Sequence, residues 1–151
     1  MPTPTPLIRR LEPADKAEHV RMRVALWPDA DPEDLANDFA ELLDDADQVV
    51  FVAVRDDGGG LCGMVEAGIR PFANPVDEQP CAFVEGWWVD ADVRRTGVGR
   101  ALVVAVEDWA RARGFHELGS DALLDNTTSH AAHLALGFEE RERTIAYRKF
   151  L

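Results

Sequence analysis

The sequence predicts one α/β domain with a mixed, mostly antiparallel central sheet flanked by helices, and three observations point to it. The chain has 151 residues and is 46% hydrophobic, enough for one ordinary core and too little for two. Apolar runs of strand length follow one another from Val49 to Val89 with turn residues between them, while runs with helical spacing lie before and after. The resulting order, β-α-α-β-β-β-α-β-α-β, interleaves the two element types as α/β folds do. No internal repeat or low-complexity tract divides the chain, so residues 1–151 read as one domain.

Taken in order, Leu7 to Leu11 form a short first strand, and Pro13 opens a helix carrying Val20 and Val24. Proline suits a first turn because its φ is fixed and its missing N–H is not needed there. A second helix starts at about Glu33 and puts Leu35, Phe39, Leu42 and Leu43 on one stripe. Val49 to Val54 and Leu61 to Ile69 make a hairpin turned by Asp56-Asp57-Gly58-Gly59-Gly60, where glycine supplies positive φ. Phe83 to Val89 is a further apolar strand. From Val98 the residues Ala101, Leu102, Ala105, Val106 and Trp109 recur at helical spacing, and Gly114 supplies the stop. Leu118 to Leu123 reads as a short strand, Thr127 to Leu136 as a helix ended by Gly137, and Phe138 to Phe150 as one or two terminal strands.

The formal charge is −12, with 28 acidic against 16 basic residues. Such a surface repels phosphate backbones and attracts cations, which argues against nucleic acid as a partner; solubility is the plainer reading of the same acidity. The longest apolar runs, such as Ala101 to Val106, fall far below the roughly 18 residues a bilayer span needs, and no charged-then-apolar leader opens the chain. The expectation is a cytoplasmic protein with no membrane partner. Cys62 and Cys81 lie far apart without a CxxC pair, which fits two strand thiols in a reducing compartment better than a zinc site or a disulfide.

The densest chemistry lies in Trp87-Trp88-Val89-Asp90-Ala91-Asp92-Val93-Arg94-Arg95-Thr96-Gly97-Val98-Gly99-Arg100, a strand end, a loop and the start of the best-defined helix. Gly97 and Gly99 let the backbone approach a ligand, and the free N–H groups of a helix N-terminus point towards an anion. Arg94, Arg95 and Arg100 add cations, so a diphosphate fits; a tight turn with solvated arginines is the structural alternative. A second cluster runs from Ser120 to Phe138. Asn126 is placed to cap its helix, and Asn126, His130 and His133 share one face, away from Ala131, Leu134 and Ala135. The two histidines lack a clear third ligand for a metal, and a partly exposed helix face also accounts for them.

Arg94-Arg95-Thr96-Gly97-Val98-Gly99 resembles the R/Q-x-x-G-x-G/A pyrophosphate motif of the GNAT superfamily of N-acetyltransferases, and the element order is similar to that fold. The resemblance implies acetyl-CoA as cofactor. It implies that Trp87, Trp88 and Val89 line the pantetheine arm, that Arg94, Arg95, Thr96, Gly97, Val98, Gly99 and Arg100 hold the diphosphate, and that Asn126, His130 and His133 complete the cofactor site. A bulge near Trp88 or Val89 would free a backbone N–H for the thioester carbonyl. His133 stands four residues before Gly137-Phe138, where many members carry a tyrosine near the coenzyme sulfur; it is a candidate acid for the leaving thiolate, and Tyr147, the sole tyrosine, is another.

A finer resemblance, to the aminoglycoside 6'-N-acetyltransferases, runs through Arg21-Met22-Arg23-Val24-Ala25-Leu26-Trp27, Glu66-Ala67-Gly68-Ile69-Arg70, Glu85-Gly86 and Ser120-Asp121-Ala122 through Gly137-Phe138. It implies a cleft for a cationic amine lined by Trp27, Glu66, Glu85 and Asp121, with Asp29 and Glu140, and it implies a homodimer. Physically, carboxylates from separate segments bind ammonium groups and an indole stacks on a sugar ring. Asp121 or Glu85 would accept the amine's proton. A GNAT enzyme for polyamines, small-molecule amines or protein N-termini fits the same residues, as does a non-catalytic acyl-CoA-binding module.

Overall fold

The computed structural model describes residues 5–151. Five strands, β1 (Leu7–Arg10), β2 (Gln48–Val54), β3 (Leu61–Arg70), β4 (Cys81–Val89) and β5 (Leu118–Gly119), lie side by side in chain order. The first four are antiparallel and β5 joins β4 in parallel, so the sheet is mixed and mostly antiparallel, as expected. Five helices flank it: α1 (Lys16–Leu26), α2 (Pro32–Asn37), α3 (Phe39–Asp44), α4 (Val98–Ala112) and α5 (Thr127–Ala135).

Side-chain alternation along β2 separates two cores. Val49 and Ala53 pack with Val98, Leu102, Val106 and Trp109 of α4, while Val50 and Val52 pack with Met22 of α1 and Phe39 and Leu42 of α3. Gly114 closes α4 at φ +85°, and the Phe115 N–H returns to the Ala110 carbonyl at 3.0 Å, a left-handed stop that glycine makes without Cβ strain. Cys62 and Cys81 are free, buried strand thiols.

Four expectations need correction. α1 follows a 3-10 turn over Pro13–Asp15, and its buried side is His19, Met22 and Arg23, whereas Val20 and Val24 are only half-buried; the polar side chains go inward because a buried carboxylate waits for them. The second helix is two helices, since Arg23 donates at 2.9 Å to the Leu35 carbonyl that a continuous helix would offer to the Phe39 N–H. β5 ends at Gly119 rather than near Leu123. No strand forms over 138–150: the segment pairs with neither the outer side of β5 nor the free edge of β4, and Ile145, Tyr147 and Phe150 are left exposed.

Candidate active site

The site begins where the sheet forks. β4 and β5 pair only through Ala82 with Leu118 and Phe83 with Gly119, after which β4 continues to Val89 paired with β3 alone. The main chain of Val84 to Val89 therefore has no strand beside it on the β5 side among the described residues. β4 also bulges: Gly86 faces Glu66 and Val84 faces Ala67, which leaves Glu85 as the extra residue. The bulge thus falls at Glu85, earlier in the strand than Trp88 or Val89, and it turns the Glu85 side chain outward between buried Val84 and Gly86.

Past the fork, the loop over Asp90–Gly97 leads into the N-terminus of α4. Gly97 sits at φ +92°, and a Cβ there would meet nothing within 4 Å. It is glycine because of its backbone conformation, and the space beside it lies open. Gly99 is glycine for a different reason, because a Cβ would stand 3.0 Å from the Trp87 ring. No side chain caps α4, so its leading N–H groups are uncommitted. Arg94 donates to the Val89 carbonyl at 2.9 Å, and its guanidinium stands over Trp88; Arg100 donates to the Ala135 carbonyl at 3.2 Å. Arg95, itself at φ 63°, adds the third cation. None of the three has a carboxylate partner among the described residues. Thr96 ties its hydroxyl to the Val93 carbonyl, and Val98 is buried under the loop. Uncommitted N–H groups, unpaired guanidiniums and an open glycine together fit a diphosphate.

α5 brings its histidines to the opposite wall. The Asn126 carboxamide caps the helix, accepting from the Ser129 N–H at 3.1 Å. His133 points inward, its ring set edge-on against Trp87 of β4 and Phe138. Its Nδ1 lies 2.7 Å from the Ser129 carbonyl and its Nε2 2.7 Å from the Ser120 hydroxyl. His130 is half-exposed, with Nε2 3.7 Å from Glu140, which also pairs with Arg143. Tyr147 is 89% exposed on the tail.

On the other side of β4 lies an open cleft of about 400 Å³, walled by Trp27, Asp38, Glu41, Glu66 and Glu85 with Arg23 at its base. The benzo end of Trp27 abuts the strand: a Cβ on Gly86 would stand 2.7 Å from its ring, so glycine at this position makes room for the indole. Glu66, 3% exposed, receives two bonds from Arg23 at 2.8 and 2.9 Å and one from His19 Nε2 at 3.1 Å. Burial pushes its carboxyl up, but the His19 and Arg23 hydrogen bonds and the Arg23 charge outweigh this and hold it below the usual carboxylate range. Glu85 is gripped by Arg70 through two bonds of 2.6 Å, and that guanidinium stacks 3.7 Å above Phe83. Asp121 is exposed beyond the fork, yet its charge reaches Arg70, whose pKa is raised first by Glu85 and then also by Asp121. Asp29 is exposed beside Trp27 in the chain.

Sequence reasoning missed Arg23, His19, Asp38, Glu41, Arg70 and Ser120 as members of these walls. One signal was available. His19, Met22, Arg23 and Leu26 fall at i, i+3, i+4 and i+7, so the helix face that carries Met22 and Leu26 also carries two polar residues.

An α/β sheet forked between its fourth and fifth strands, with an anion-binding helix N-terminus at the open end, is the architecture of an acyl-CoA-dependent acetyltransferase. Residues 14–138 match the acetyltransferase (GNAT) family, and the chain belongs to it. It is an acyltransferase whose acyl donor is acetyl-CoA. The chain is 42% identical over 144 residues to an aminoglycoside N(6')-acetyltransferase type 1 of Stenotrophomonas maltophilia, covering 95% of this chain and 92% of that one. It is 43% identical over 148 residues to the like-named protein of Klebsiella aerogenes, covering 96% and 97%. Among solved structures, AAC(6')-Iy in complex with the bisubstrate analogue CoA-S-monomethyl-acetylneamine superposes with a TM-score of 0.90 at 34% identity, over 98% of this chain and 100% of that one. AAC(6')-Ih from Acinetobacter baumannii superposes with a TM-score of 0.89 at 34% identity, over 97% and 99%.

Proposed function

We propose that this protein transfers the acetyl group of acetyl-CoA to the 6'-amino group of aminoglycosides by direct attack in a ternary complex. The observation that carries the reading is the acidic cleft on β4: Trp27 and the carboxylates Asp38, Glu41 and Glu85 stand beside the bulge, and the opposite edge of the same strand is open for the thioester. The names and the bound bisubstrate analogue of the relatives support the same substrate.

In this mechanism the α4 N-terminus, with Arg94, Arg95 and Arg100, holds the diphosphate, and Asn126 and His130 flank it. The free edge from Trp87 to Val89 aligns the pantetheine arm, and an N–H beyond the Glu85 bulge polarises the thioester carbonyl. Trp27 stacks on a sugar ring, and Glu85 and Asp121 receive ammonium groups, with Glu66, Asp29 and Glu140 at the margins. A bound ammonium cannot attack, so Glu85 or Asp121 takes its proton, directly or through water. The departing thiolate is protonated from the His133 wall, with Tyr147 as the rival donor. We further assign the enzyme to the cytoplasm as a homodimer; the exposed apolar row Ile145, Tyr147, Phe150 and Leu151 supports a second copy as the partner of the tail.

Thiol release measured across paired 6'-amino and 6'-hydroxyl aminoglycosides, linear polyamines and peptides tests the substrate. Release with the 6'-amino member of each pair alone is the expected result. Equal rates on both members refute the regiochemistry. Activity confined to polyamines or peptides overturns the aminoglycoside reading and leaves the acetyltransferase intact.

A further inference from the structure

Ser120 has no part in the transfer just described, yet it occupies the apex of the fork, directly after Gly119, the last residue of β5 paired with β4. Its hydroxyl stands 2.7 Å from His133 Nε2. On the other side of the ring, Nδ1 lies 2.7 Å from the Ser129 carbonyl oxygen, which only accepts hydrogen bonds, so Nδ1 carries a proton. The Ser129 hydroxyl, 3.3 Å away, lies beside the same nitrogen. In the neutral ring Nε2 is therefore bare, and the Ser120 O–H donates to it. Trp87 and Phe138, with ring centroids 5.6 and 5.1 Å away, fix the ring plane. A hydroxyl, an imidazole acceptor and a third group that orients the imidazole form the geometry of an activated serine nucleophile. The unpaired edge of β4, beyond Phe83, offers the N–H groups that an oxyanion needs.

We propose that Ser120 is a second acyl acceptor, so that without an amine the enzyme slowly hydrolyses acetyl-CoA through an O-acetylserine. Ser120 Oγ bonds to the thioester carbonyl carbon as its proton passes to His133 Nε2. The carbon–sulfur bond then breaks, and the proton moves from Nε2 to the leaving sulfur, giving free coenzyme A and acetylated Ser120. In the second half His133 takes a proton from water, the hydroxide adds to the ester carbonyl, and acetic acid leaves as the proton returns to Ser120 Oγ, ionising to acetate in solution. A bound amine intercepts the same thioester and suppresses this branch. The inference rests on the reading above in one respect, that the acyl end of acetyl-CoA enters the fork.

The test incubates the full-length protein with isotopically labelled acetyl-CoA, with and without a 6'-amino aminoglycoside. It follows thiol release and maps the acetyl group by peptide mass spectrometry. Label on Ser120 without amine is expected, with amine-independent release reduced about tenfold or more in Ser120→Ala. Wild-type protein that acetylates the amine but never carries label on Ser120 overturns the proposal and leaves the transferase reading standing; this arm needs no variant to fold. If neither amine nor water receives the acetyl group, both readings fall together, and the dead amine arm tells that case apart.

Discussion

On the α4 side of β4, Arg94, Arg95 and Arg100 meet no carboxylate among the described residues, whereas on the α1 side Arg23 is clamped by Glu66 and Asp38 and Arg70 by Glu85. The wall proposed for the cofactor carries uncommitted backbone donors and cations without a counter-charge. The substrate wall carries charges that are already paired. Carboxylates packed into one cleft repel each other, and a cation in place before the substrate arrives fixes their geometry. Any ammonium that binds Glu85 must compete with the Arg70 guanidinium that holds it.

The largest effect expected from breaking this contrast lies on the paired side. Glu66→Gln leaves the buried Arg23 with only the half-exposed Asp38 carboxylate as counter-charge and should cost about 3 kcal/mol of stability, read by urea unfolding. Because the Glu66 carboxyl is held below its unfolded value, its contribution is complete above the ordinary carboxylate pKa of about 4.3 and is lost as the pH falls further. Unfolding curves of wild type should weaken over that acidic range, and those of the glutamine variant should weaken less.

On the unpaired side, Gly97→Val forces a β-branched residue into a left-handed conformation at about 1–3 kcal/mol and fills the open space beside the helix N-terminus. Calorimetric titration should show acetyl-CoA affinity reduced at least tenfold; unchanged affinity would remove the diphosphate from this loop. Asp121→Asn comes next, with kcat/KM for the aminoglycoside down by roughly tenfold and acetyl-CoA affinity retained. A parallel loss of both would place Asp121 on the cofactor wall. Arg100→Ala should weaken acetyl-CoA binding by only roughly two- to fivefold, since the backbone N–H groups remain.

The same contrast decides what could be read without coordinates. The strand end, glycine turn and helix start proposed to bind the diphosphate were legible because they are local, following one another within one segment, Trp87 to Arg100. The hairpin of β2 and β3 and the helix ends at Gly114 and Gly137 were legible for the same reason, since each depends on neighbours in the chain. The substrate wall is assembled from residues far apart, such as Arg23 with Glu66 and Arg70 with Glu85. Apolar periodicity assigns such polar side chains to solvent. It misread α1 through Val20 and Val24, and it joined α2 to α3 because the Arg23 bond to the Leu35 carbonyl leaves no trace in local spacing. The terminal strands failed on a different ground, since a strand pattern states a need for a partner without naming one.

Cys62 and Cys81 carry a practical consequence. Both lie within the sheet, 3% and 0% exposed, and burial pushes both thiols up, away from the reactive thiolate. The native enzyme is thus silent towards disulfide chromogens on the timescale of turnover. Colour in a coenzyme-release assay reports product alone, and a slow rise of two thiol equivalents per chain would report unfolding instead, so one cuvette separates catalysis from loss of structure.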